Sequence, residues 1–197
     1  MKSKTKLIVV TGGPGAGKTA VLEYMRKIVC PHVAILPEAA GILFSGGFWR
    51  LSSPSAVRAG QKAIFHVQQE MQNLVIGEKK WTSALCDRGL LDGIAYWPGP
   101  ASEFYKALTT TKEKEYLKYA AVIQLQSPSL ELGYNKSNPI RTESAELAAA
   151  IDKKIHLVWK HHPQYVFIES STSFIDKVDR AAKVIQSFIP NCNCANS

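Results

Sequence analysis

No apolar run in the 197-residue chain approaches the ~20 residues that a membrane-spanning helix needs. The N-terminal MKSKTK is basic, but the apolar run behind it is too short for a signal-peptide core and leads into a glycine-rich turn. No segment repeats and no low-complexity block occurs, which excludes a solenoid or a fibrous assembly. The four cysteines make no disulfide framework. Cys30 and Cys86 lie in or beside apolar runs and are expected to be buried. Cys192 and Cys194 sit in the polar tail NCNCANS, without a second Cys or His pair at zinc spacing. The net charge is +8, yet there is no Lys/Arg tract and no basic stretch interleaved with aromatics. Scattered charge of this kind suits small anionic substrates better than nucleic acid. The run Lys160 to His162, KHH, reads as a helix C-terminus, where cations complement the dipole, rather than as a metal site. These absences leave a soluble, cytoplasmic protein. It is expected to form one domain over residues 1–190, followed by a flexible tail over 191–197.

What is present is concentrated in LIVVTGGPGAGKTA, residues 7–20. Leu7 to Val10 is aliphatic on both faces, the pattern of a buried parallel strand. Gly12, Gly13, Pro14, Gly15, Ala16, Gly17, Lys18 and Thr19 fit G-x-x-x-x-G-K-[ST] at every fixed position. Glycines let consecutive backbone N–H groups curl around an anion without Cβ clashes. The helix expected from about Lys18 to Val29 points its positive end at the same anion. Lys18 suits the β- and γ-phosphates of a nucleotide, and the Thr19 hydroxyl suits Mg²⁺.

Further strands are expected at Val33–Leu36, Ser83–Cys86, Ala121–Leu125 and Tyr165–Ile168. Helical patterns lie between them, at about 18–29, 55–78, 102–108, 112–119, 143–160 and 173–189. Strands alternating with helices predict a parallel sheet with right-handed crossovers, whose ligands bind at the carboxyl ends of the strands. A polar segment with Pro128, Gly133 and Pro139 follows the fourth strand and suits a lid, about 127–144.

The candidate chemistry falls at those carboxyl ends. Asp87, after the third strand, suits Mg²⁺; it equally suits the N-cap of the following helical segment. Arg88 suits a clamp on a phosphoryl group or an ion pair with Asp92 or Glu38. Glu38, after the second strand, suits a general base for an attacking hydroxyl, or an N-cap. Arg141, in the lid segment, suits a cation closing over phosphates. LFSGGFWR, residues 43–50, a glycine-rich aromatic loop beside Glu38, suits the border of an acceptor pocket with Phe44, Phe48 and Trp49 as stacking surfaces, and equally suits core or surface packing. The stretch lies too near the phosphate loop, and has Phe48 in place of glutamine, to be a transporter LSGGQ signature. NKSN, residues 135–138, lacks the carboxylate of the guanine-reading NKxD motif.

Together, TGGPGAGKT, LPEAA, CDRGLLD and IRTESAE resemble the P-loop ATPase/kinase family described as an AAA domain. That family is related to the ribosylnicotinamide kinase domain of NadR and, more distantly, to deoxynucleoside and nucleoside monophosphate kinases. The resemblance implies a three-layer α/β fold with a five-stranded parallel sheet in order 2-3-1-4-5, and ATP with Mg²⁺ as phosphoryl donor. It also implies that Glu38, Arg88 and Arg141 match the acid after the second strand, the arginine of the D/E-R motif and a lid arginine. Asp87 is followed by Arg88, so the Asp-Glu pair of an AAA+ motor is missing, and Leu90 stands where a GTPase D-x-x-G needs glycine. The expected function is a kinase for a small-molecule acceptor, such as a nucleoside or nucleotide-like compound. The alternative is an ATP-binding regulatory ATPase acting through a protein partner.

Overall fold

The computed structural model describes residues 4–128 and 145–190. Arg141, the NKSN stretch, most of the expected lid segment, Cys192, Cys194 and the tail lie outside the described residues.

Five strands form one parallel sheet: β1 Lys6–Thr11, β2 Val33–Leu36, β3 Ser83–Asp87, β4 Tyr119–Leu125 and β5 Tyr165–Ile168, in the order β2-β3-β1-β4-β5. Alternation along β1 divides the core in two. Leu7 and Val9 face a cluster with Cys86, Val122, Phe65, Phe104, Ile155 and Trp159. Ile8 and Val10 face another with Leu85, Ile123, Val21, Met25 and Ile185. Both faces are therefore covered by helices, which explains why the strands read as continuous apolar runs.

On the second face lie α1, Lys18–Ile28, and α7, Phe174–Phe188. On the first lie α3, Pro54–Glu78, a 3₁₀-helix, Leu90–Tyr96, α4, Ala101–Ala107, and α6, Ala145–Trp159. The short helices α2, Ala39–Ser45, and α5, Lys112–Tyr116, pack against α3 and the 3₁₀-helix respectively. Ser53 caps α3 by accepting the Ala56 N–H, and Ser173 caps α7 by accepting that of Asp176.

Several local expectations change. Leu43 to Ser45 close α2 and are not loop; Gly46 caps that helix and Gly47 turns the chain at φ 95°. Tyr119 opens β4 and does not end a helix, because its hydroxyl is needed inside, donating N–H contacts being made to it by Leu90 at 3.0 Å and Gln72 at 3.1 Å. Cys30 is only half-buried, while Cys86 is buried and its thiol is pushed up to about 12 by that burial. Lys160 to His162 follow the end of α6, and His162 is buried against the Tyr116 carbonyl, 3.2 Å from its Nε2.

Candidate active site

The turn between β1 and α1 wraps tightly. Gly12 has φ 142°, and a Cβ there would sit 2.2 Å from the Leu125 carbonyl oxygen, so only glycine lets the loop pass the end of β4. Gly17 has φ 93° and forms the left-handed entry to α1 with no side-chain cap. That leaves the first amides of α1 open to a ligand. Thr19 stands exposed in the first turn and borders the adjoining cavity.

Lys18 is buried and its ammonium donates to the carbonyls of Gly12, at 3.2 Å, and Gly13, at 3.3 Å. Burial, with Arg88 nearby, pulls its pKa down to about 8, against the opposing pull of Asp87, Glu38 and Asp92. The lysine is thus held at the loop and partly stripped of water.

At the tips of β2 and β3, the structure brings Glu38, Asp87 and Arg88 together with Lys18. Arg88 takes a left-handed backbone, φ 79°, fixed by its N–H on the Val10 carbonyl at 3.0 Å and by the Gln68 amide on its own carbonyl. This turn aims the guanidinium back over the loop. Nε donates to Glu38 Oε1 at 2.5 Å and Nη1 to the Gly12 carbonyl at 3.3 Å, while Asp92 Oδ2 lies 3.7 Å from Nη1. The Tyr96 ring lies 5.6 Å from the guanidinium carbon. Both ion pairs considered for Arg88 are therefore present, inside the site and not on an outer surface. Burial alone would raise the Glu38 carboxyl, but Arg88 and Lys18 outweigh it and hold the group below its usual value. Glu38 stands at the N-cap position of α2 but caps nothing with its side chain.

Asp87 has the opposite environment. Burial raises its carboxyl, partly countered by Lys18. Its Oδ1 is buried with no hydrogen-bond partner among the described residues. It does not cap the following helix, whose N-cap is Gly89. An unused buried carboxylate oxygen beside a phosphate loop and an exposed threonine hydroxyl fits a hard cation. Among the described residues no group of three or more His, Cys, Asp or Glu could hold a metal alone. The remaining ligands at this place would be phosphate oxygens and water.

These groups border one cavity of about 1080 Å³. Its lining includes the loop, Ser170 to Thr172 and Phe174, and also Phe44, Trp49, Ile64, Phe65 and Tyr96, together with Glu38, Asp87 and Arg88.

Asp152 and Lys177 were not singled out from the sequence, and Asp92 was named there only as an ion-pair partner for Arg88. Asp92 is buried, accepting from the Thr11 hydroxyl and, at 2.6 Å, from the Trp159 indole. Asp152 accepts from the Gly13 N–H at 2.8 Å, and Lys177 donates to the Ala16 carbonyl at 2.9 Å. The available signal was a lone charge on an apolar helix face. Asp152 falls in step with Ala148, Ile151 and Ile155, and Lys177 with Ala181 and Ile185.

A family model described as an AAA domain matches residues 7–177. No curated protein matches the chain. Among the described residues no helix is long and apolar enough to cross a membrane.

Proposed function

Because the chain belongs to this AAA-domain family, within the P-loop nucleotide-binding proteins, we propose that it is an ATP- and Mg²⁺-dependent kinase acting on a small-molecule acceptor. The observation that carries this reading is the shape of the cavity. It extends past the phosphate loop to an aromatic and aliphatic wall on α2 and α3, room that simple nucleotide hydrolysis does not require.

In this reading the loop amides and the α1 N-terminus receive the phosphates, and Lys18 leaves the Gly12 and Gly13 carbonyls for the β- and γ-phosphate oxygens. Thr19 and Asp87 would hold Mg²⁺, which when bound neutralises charge on the phosphate oxygens. The acceptor lies against Phe44, Ile64 and Phe65 with its hydroxyl toward Glu38. Its oxygen attacks the γ-phosphorus, the bond to the β-phosphate oxygen breaks, and ADP leaves. The acceptor's proton passes to the Glu38 carboxylate and then to solvent. Arg88 orients that carboxylate and offers its remaining N–H donors to the transferring phosphoryl group. Arg141 is assigned to closure over the phosphates.

The test is incubation with Mg²⁺ and γ-labelled ATP against a panel of nucleosides, nucleotides and vitamin-like alcohols. Label appearing in one acceptor supports the kinase. Label only in free phosphate, at a rate no acceptor changes, overturns it in favour of a regulatory ATPase. Glu38→Gln is expected to lose transfer, by about 10²-fold or more, while keeping ATP affinity.

A further inference from the structure

We infer that Asp152 and Lys177 are positioning residues that set two peptide planes of the phosphate loop before nucleotide arrives. The inference rests on the reading that this loop binds the phosphates of ATP.

In a trans peptide the carbonyl and the following N–H point in opposite directions. Lys177 Nζ donates to the Ala16 carbonyl at 2.9 Å and to the Gln126 carbonyl at 2.5 Å. With the Ala16 carbonyl drawn to α7, the Gly17 N–H of the same peptide plane is turned away from Lys177. Gly17 is the residue that opens α1 and borders the cavity. A cation thus holds the carbonyl of a peptide whose N–H is offered to the anion.

Asp152 acts on the other end of the turn with the opposite polarity. Its Oδ1 accepts the Gly13 N–H at 2.8 Å and the Gln124 amide at 3.0 Å, and its Oδ2 accepts the Ser127 N–H at 3.2 Å. Drawing the Gly13 N–H to α6 turns the Gly12 carbonyl the other way. There it accepts both Lys18 Nζ, at 3.2 Å, and Arg88 Nη1, at 3.3 Å. One carboxylate thereby aims the carbonyl oxygen that accepts from both Lys18 and Arg88. Gln124 is fixed in turn by the Tyr165 hydroxyl at 2.9 Å, which meets His156 Nδ1 at 2.8 Å.

Both side chains are buried, at 7% and 4% exposure, on otherwise apolar helix faces. Burying a charge is costly unless its partners return it, and each of these charges pairs backbone groups that an apolar side chain would leave unsatisfied. What the charges add is direction, imposed on a glycine-rich turn that has little of its own.

The experiment compares wild type with Lys177→Met, Lys177→Arg, Asp152→Leu and Asp152→Asn. ATP Kd is read by calorimetry, and the Gly13 and Gly17 amide resonances are read by NMR with and without ATP. Lys177→Met is expected to weaken ATP about tenfold, the worth of one well-aimed contact, and to abolish the ATP-induced shift of the Gly17 amide. Lys177→Arg should recover most of both. Asp152→Leu should weaken ATP similarly and move the Gly13 amide in the nucleotide-free protein, and Asp152→Asn should fall between. If Lys177→Met or Asp152→Leu does not fold, Asp152→Asn carries the comparison: an intermediate affinity with a moved Gly13 amide supports the inference, and wild-type affinity with an unmoved Gly13 amide overturns it. Lys177→Met and Asp152→Leu binding ATP within twofold of wild type, with the Gly17 and Gly13 amides unchanged, overturn the positioning role alone. A wild-type protein that binds no ATP overturns the loop reading, and the inference with it.

Discussion

Arg88 and Glu38 are joined as one unit: the Arg88 Nε donates to Glu38 Oε1 at 2.5 Å across a sequence separation of 50 residues. The pair locks the carboxyl end of β3 to that of β2, and it keeps Glu38 ionised. Arg88→Gln removes that hold. Phosphoryl transfer is expected to fall by about 10²-fold or more. Glu38 now lies below its ordinary value through Arg88 and Lys18, so losing Arg88 moves its pKa up. The acid limb of a kcat/KM against pH profile should then shift to higher pH. An acid limb that stays in place would remove Glu38 from the role of base.

Lys18 carries the second prediction. Its folded pKa of about 8 lies below the ordinary lysine value of 10.5, so the folded state disfavours its charge. Stability of the nucleotide-free protein should therefore rise as pH climbs from about 8 toward 10.5, with Lys177, also lowered to about 8 by burial, adding in the same direction. Phosphates favour the charged lysine, so ATP binding above pH 8 should take up protons. Calorimetry at pH 8.5 in buffers of different ionisation enthalpy reads this directly, and Lys18→Met should reduce the uptake.

Asp87 has a buried oxygen without a partner among the described residues, and its proposed assignment to Mg²⁺ makes a separable forecast. Asp87→Asn should raise the Mg²⁺ concentration for half-maximal transfer about tenfold, with ATP affinity in the absence of metal nearly unchanged. Chelation of Mg²⁺ should abolish transfer by the wild type. A magnesium titration of both proteins decides it.

Trp159 concerns stability more than chemistry. Its indole N–H serves the buried carboxylate of Asp92, and a Cβ at Gly89 would come within 2.4 Å of its ring. Trp159→Phe leaves Asp92 short of a donor and should cost about 1–3 kcal/mol. Gly89→Ala overpacks the same spot and should cost a similar ~1–3 kcal/mol. Asp92→Ala is expected to cost more, about 3–5 kcal/mol, since it leaves the buried Arg88 charge with one counter-ion fewer. Urea unfolding gives all three.

The strands and the phosphate loop were legible because their signals are local, while the sheet order was implied by the family resemblance. A strand buried on both faces shows as an aliphatic run, and the loop motif lies within eight consecutive residues from Gly12 to Thr19. Glu38, Asp87 and Arg88 were legible by position, since strand ends converge in such sheets. Asp152 and Lys177 were not, and Asp92 was legible only as a partner of Arg88. The partners Thr11 of Asp92, Gly13 of Asp152 and Ala16 of Lys177 stand 81, 139 and 161 positions away, and only the folded topology brings them together. Helix α2 was missed because its seven residues, AAGILFS, are too few to show a period and run into two glycines.

The central place of β1 bears on how the protein is made. Val9 lies between Cys86 and Val122 in register, so β1 leaves the ribosome well before either neighbour. At roughly 5–20 residues added per second, the interval lasts several seconds or more. Throughout it the aliphatic side chains of Leu7 to Val10 have no sheet to join, and a holding chaperone that grips short greasy segments would find its target there.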